Sequence, residues 1–209
     1  MIGLRNVYKS YGERKVLTDF SLEFEKDRIT AILGGSGVGK TTILRLLSGL
    51  ATADSGEVFG AKPVSFVFQE DRLVPHLTVN QNLELVLGKG DYSAALEEIG
   101  LGGRGGDFPK NLSGGMARRL CFLRACLFPS ELILLDEPFK GLDLKLKYSI
   151  MDVFLDLWKK NPRTAVLVTH DPDEAAYIAS RAVVIREGGA IAADVVSPTA
   201  DRLREELMK

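Results

Sequence analysis

Nine consecutive residues, Gly34-Gly35-Ser36-Gly37-Val38-Gly39-Lys40-Thr41-Thr42, have the types and spacing to hold a polyphosphate. They satisfy the pattern G-x-x-x-x-G-K-[ST]. The glycines permit φ > 0 and let successive backbone N–H groups close around phosphate oxygens. A helix opening at the end of the loop adds its N-terminal partial positive charge. Lys40 supplies a mobile cation for the terminal phosphates, and the Thr41 hydroxyl is a hard oxygen suited to Mg²⁺. A glycine-rich turn before a helix is the bland alternative, but such a turn needs neither the lysine nor the threonine.

Further along the chain, Leu132-Ile133-Leu134-Leu135-Asp136-Glu137-Pro138 is an apolar run ending in two carboxylates. Asp136, at the end of the run, can support a Mg²⁺ shell. Glu137 can polarise an attacking water as a general base. Leu112-Ser113-Gly114-Gly115-Met116 opens a helix that Ser113 can cap, and its glycines expose amides to an anion. Gln69 and His170 each follow an apolar strand, the position of functional groups in α/β sheets.

The elements that must position these residues alternate. Residues 2–8 and 16–25 read as strands of an early antiparallel layer, with a turn over 10–14. Ile29 to Leu33 is a buried strand entering the phosphate loop, and a helix over 42–50 leaves it. Short strands follow at 56–60 and 64–68. Residues 70–128 change character and read as a mostly helical insert, with helices over 77–87, 92–99 and 116–128. Strands at 132–135, 164–168 and 182–185 then alternate with helices at 144–159 and 173–180. A turn at 187–189 leads into a strand ending at 195, and a charged helix covers 198–208. Alternation of this kind implies a mainly parallel sheet flanked by helices.

Bulk properties exclude several classes. The 209 residues carry 27 Lys+Arg against 28 Asp+Glu, so no global charge draws the chain to nucleic acid or an anionic membrane. No apolar run is long enough to span a bilayer, and the first residues lack the pattern of a signal peptide. A cytoplasmic location is expected, with any membrane role exerted through a partner. The two cysteines, Cys121 and Cys126, lie in an apolar helical stretch without histidine company, which reads as small buried hydrophobes.

In this order the motifs resemble those of the ATP-binding-cassette ATPases, over essentially the whole chain. The phosphate loop is similar to Walker A, Gln69 to the Q-loop, and Leu112 to Met116 to the signature motif. Leu132 to Glu137 resembles Walker B, Gly141-Leu142-Asp143 the D-loop, and His170 the switch histidine. Met116 stands where the signature commonly ends in glutamine, and Gly35 where proline is frequent; neither change removes a phosphate contact. The segment 67–79 is similar to the nitrate/sulfonate/taurine importer branch.

The resemblance implies an α/β fold: a P-loop nucleotide hydrolase with a mainly parallel central sheet, an N-terminal antiparallel β layer and a helical signature subdomain. It implies a single domain over 1–209, with a nucleotide-binding core at 1–69 and 129–209 and a helical subdomain at 70–128. Tyr11 would stack on adenine with Val16 beside it, and residues 34–42 would hold the phosphates. Gln69 would help hold Mg²⁺ with Thr41 and Asp136. Ser113, Gly114 and Gly115 would meet the γ-phosphate bound by a second copy, with Asp143 at that interface. Glu137 and His170 would serve hydrolysis. The implied activity is ATP hydrolysis coupled to import through transmembrane permease subunits and an extracytoplasmic substrate-binding protein, on the inner face of the cell membrane. A non-transport cassette ATPase and a P-loop kinase are the alternatives; the kinase leaves the signature helix and His170 unexplained.

Overall fold

A computed structural model describes residues 1–60 and 63–209. In chain order the elements are β1 (Ile2–Tyr11), β2 (Arg14–Phe24), β3 (Ile29–Leu33), α1 (Lys40–Leu47), β4 (Ser55–Phe59) and β5 (Val64–Val67). Then come α2 (Val79–Leu87), α3 (Ser93–Glu98), α4 (Gly114–Leu127), β6 (Leu132–Asp136), α5 (Leu144–Lys160) and β7 (Thr164–Val168). The chain closes with α6 (Pro172–Ile178), β8 (Arg181–Ile185), β9 (Ile191–Val196) and α7 (Ala200–Met208). They pack into two compact units, a core unit of residues 1–66, 130–137 and 162–209 and a helical unit of 67–129 and 138–161.

The core unit contains most of the strands. β3, β6 and β7 are almost wholly apolar because each is buried on both faces. They join a six-stranded sheet in the order β5-β6-β7-β3-β8-β9, in which β3 pairs in parallel with β7 and β8, and β6 with β7. β8 and β9 form an antiparallel hairpin at one edge of this sheet. A second sheet, β2-β1-β4, is antiparallel, as expected of the N-terminal layer. Val16, Leu17, Phe20, Leu22 and Phe24 of β2 and Leu4 and Val7 of β1 join one apolar cluster with α1 and the larger sheet's strands.

Element ends differ from the sequence reading for local reasons. β1 continues through Tyr11, since only Gly12 and Glu13 are needed to turn into β2. α1 begins at Lys40, directly after Gly39 at φ 112°, and gives way to Gly49 at φ 74°.

The helical unit is organised by buried side chains. Asn82 is fully buried; its Nδ2 donates to the carbonyls of Val74, Leu77 and Thr78, and its Oδ1 accepts from the Val74 N–H at 2.8 Å. Thr78 and Gln81 cap α2 reciprocally. Phe122 of α4 stacks on Phe139 at 5.5 Å and packs against Phe154 of α5 at 5.3 Å. These rings tie residues 138–161 to the helical unit, whereas the sequence pattern assigned them to the core.

Candidate functional site

The phosphate loop leaves β3 at Gly34, where φ is 154° and a Cβ would lie 2.3 Å from the Ile185 carbonyl oxygen at the end of β8. Only glycine fits so close a backbone approach. Lys40 is 6% exposed, and its Nζ donates to the carbonyls of Gly34 and Gly35 at 2.8 and 2.7 Å. The loop thus holds its cation inside its own curve. α1 opens at the same point, and the first N–H groups of any helix lack intrahelical partners. Val16 lies against the loop, with its Cγ1 3.2 Å from where a Gly39 Cβ would stand. Tyr11 ends β1 half-exposed, with the Lys9 ammonium 5.2 Å from its ring centroid.

The two acidic positions are next to this loop in the core unit. The Thr41 hydroxyl donates to Asp136 Oδ1 at 3.1 Å. Two ligands adjacent on a Mg²⁺ octahedron stand ~2.9 Å apart, given metal–oxygen distances of ~2.05 Å. A hydroxyl and a carboxylate so spaced fit Mg²⁺ held jointly with substrate phosphates. Among the described residues no three His, Cys, Asp or Glu cluster as an all-protein metal cage.

Burial raises the Asp136 carboxyl above the usual range, and the charge of Glu137 adds to this, while Thr41, Arg45 and Lys40 act in the opposite direction. A carboxyl with a raised folded-state pKa binds its proton more tightly folded than unfolded. Its ionisation therefore lowers stability as pH rises through that window. Asp136→Asn should accordingly raise the thermal midpoint at neutral pH by a few degrees, since amide oxygen can still accept from Thr41. The same variant should lose Mg²⁺-dependent ATP hydrolysis. Parallel melting and phosphate-release measurements check both.

Glu137 follows β6 in a left-handed conformation, φ 42°, with its N–H donating to the Val168 carbonyl at 2.9 Å. Non-glycine residues rarely adopt that region, and such strain concentrates at functional positions. Glu137 Oε1 lies 3.5 Å from His170 Nδ1, with the carboxylate side chain 18% and the imidazole 60% exposed. β6 and β7 run parallel, so the residues leaving their carboxyl ends meet there.

The remaining candidates belong to the helical unit. Ser113 caps α4, its Oγ accepting from the Met116 N–H at 3.3 Å. A Cβ on Gly115 would stand 2.8 Å from Leu146 Cδ1, so that glycine lets α4 and α5 approach. Asp143 caps α5, accepting from the Leu146 N–H at 3.0 Å. Gln69 is held through its backbone. Arg118 of α4 donates to the carbonyls of Phe68, at 2.8 Å, and Gln69, and its Nε lies 3.1 Å from Asp71 Oδ1. Arg124 donates to the Arg72 carbonyl at 3.0 Å. Burial raises the Asp71 carboxyl and pushes the Cys121 thiol up to about 12, so Cys121 is a protonated small hydrophobe. Sequence reasoning missed Arg118; its signal was a guanidinium on the buried face of α4, beside Cys121 and Phe122.

The ABC transporter family profile matches residues 17–140. That span runs from beside the phosphate loop through both acidic residues. The chain belongs to the ABC transporter family. An aliphatic sulfonates import ATP-binding protein, SsuB 1 of Pseudomonas syringae pv. tomato, is 40% identical over 191 residues, covering 90% of this chain and 71% of that protein. SsuB 3 of Paraburkholderia xenovorans is 39% identical, covering 90% and 77%. Among solved structures, the dimeric post-hydrolysis state of the ATP-binding cassette MJ0796, bound to ADP and Pi, superposes with a TM-score of 0.79 at 28% identity. That match covers 94% of this chain and 99% of the other. The chain is thus an ATP-binding ABC ATPase. Among the described residues no helix is long and apolar enough to cross a membrane.

Proposed function

We propose that this ABC ATPase powers an importer of the sulfonate-type branch, working as a pair of copies beneath transmembrane permease subunits. The observation that carries the catalytic part is Thr41 on Asp136 at 3.1 Å, beside Glu137 facing His170 at 3.5 Å. Residues 34–42 take the phosphates and Tyr11 with Val16 the adenine. Mg²⁺, held by Thr41 and Asp136 together with the ATP phosphates and aided by Gln69, would offset charge developing on the transferred phosphoryl group. Glu137 accepts a proton from the attacking water, and His170 sits across that carboxylate to orient the terminal phosphate.

Ser113, Gly114 and Gly115 of one copy present a capped helix start to the γ-phosphate held by Lys40 of the other. The dimeric cassette among the solved structures supports that pairing, and the SsuB relatives support import. The working location is the cytoplasmic face of the cell membrane, with an extracytoplasmic binding protein delivering solute to the permease.

Two measurements test the reading. The purified chain should release free phosphate from MgATP with no phosphorylated acceptor; a phosphorylated acceptor would instead identify a kinase. Cells lacking the chain should lose ATP-dependent uptake of an aliphatic sulfonate and regain it with the parent chain. Unchanged uptake would remove sulfonates as the cargo class.

A further inference from the structure

Arg14 is the first residue of β2 and pairs in register with Tyr11 across the turn. Its side chain reaches the phosphate loop, where Nη2 donates to the Gly37 carbonyl at 2.8 Å. The guanidinium lies over the face of Gly37 that a side chain would occupy. A Cβ there would stand 2.7 Å from Nη2, 3.8 Å from Cζ and 3.9 Å from Nη1. Gly37, at φ 78°, thus leaves room for Arg14 as well as turning the loop.

Arg14 carries its charge to the phosphate loop without a carboxylate beside it. Arg5, Arg118, Arg181 and Arg204 each face a carboxylate. Among the described residues Arg14 forms no ion pair, and its hydrogen-bond partner is a neutral carbonyl. One N–H of five is used on Gly37, and the others remain available in a planar fork suited to phosphate. An exposed cation fixed in place without a counter-charge, on a loop shaped for phosphates, is complementary to an anion.

We propose that Arg14 is a nucleotide-binding residue that clamps the ribose and α-phosphate of ATP between the adenine platform and the phosphate loop. The inference rests on the reading that Tyr11 and residues 34–42 hold ATP. A nucleotide stacked on Tyr11 with its terminal phosphates at Lys40 must pass the residue that touches both the Tyr11 turn and Gly37. The contact is to parts common to ATP and ADP, so both should depend on it equally.

The test is titration calorimetry with MgATP and MgADP at two ionic strengths. Arg14→Ala should weaken both by about tenfold, the low end for a hydrogen bond to a charged group at an exposed position. It should also flatten the salt dependence, with the thermal midpoint unchanged. Arg14→Lys should keep the salt dependence and part of the affinity. Arg14→Gln can still donate to Gly37 but carries no charge, and it should resemble Arg14→Ala. Parental affinity in Arg14→Gln would overturn the proposal, leaving Arg14 as an anchor of the turn. Unchanged affinity in Arg14→Ala would overturn it outright while Lys40→Ala still abolishes binding. If the parent chain and Lys40→Ala bound ATP alike, the fault would lie in the reading of the loop itself.

Discussion

Glu137→Gln should bind MgATP, accumulate as a dimer and release phosphate about 10²-fold more slowly or worse, the scale of losing general-base help. Glutamine keeps the length and hydrogen-bonding reach of the side chain and removes only its capacity to take a proton. The backbone at this position is left-handed, φ 42°, and is pinned by the Glu137 N–H to the Val168 carbonyl. Neither feature depends on the carboxylate, so the fold should melt as the parent does. Glu137 Oε1 lies 3.5 Å from His170 Nδ1, so both groups border the edge of the sheet from which a γ-phosphate and its attacking water would approach. Single-turnover phosphate release, with the chain in excess over MgATP and saturating, separates chemistry from binding and product release. A near-parental rate would remove Glu137 from the role of base.

Ser113→Arg, placed in the Glu137→Gln background, should abolish the MgATP-driven dimer while leaving ATP binding to the single chain intact. Ser113 accepts from Met116 at the start of a 14-residue helix, and a long cation there would meet the partner copy's loop with its own Lys40 already in place. Like-charge apposition at a buried contact weakens association by about 10²-fold or more. Losing the cap costs α4 about 1 kcal/mol and should not unfold the chain. Sedimentation with and without MgATP reads the outcome, and Ser113→Ala serves as the milder control. Dimerisation equal to that of the Glu137→Gln chain would exclude Ser113 as the contact across the pair.

Features written in consecutive residues were legible before the structure. β3, β6 and β7 show as largely apolar runs because burial on both faces disfavours polar side chains, the small Thr30 and Thr164 being tolerated. The loop from Gly34 to Thr42 was readable because its backbone path demands glycine at fixed offsets, and Gly34 against Ile185 shows the demand directly. The Asp136 and Glu137 pair stood out by interrupting an apolar strand.

Interactions made at long range by side chain to backbone were not legible. Arg118 reaches carbonyls 50 and 49 residues away, and Arg14 reaches one 23 residues away. A carbonyl acceptor has no residue type, so nothing at position 37, 68 or 69 announces its arginine. The grouping of residues 138–161 was hidden for a similar reason. Their alternation with strands is the pattern of a core crossover, while three phenylalanines far apart in sequence decide the packing.

The grip of α4 on the segment 68–72 sets how that part of the molecule opens. Arg118 holds two successive carbonyls and a carboxylate, Arg124 holds a third carbonyl, and Arg72 lies 3.7 Å over the Phe68 ring. Releasing the segment from the helix would strand a desolvated guanidinium, so fraying one without the other is costly. In hydrogen-exchange terms the segment and the helix should behave as one foldon, protected together and lost together. A loop that would ordinarily be the first piece to loosen therefore inherits the opening free energy of a 14-residue helix.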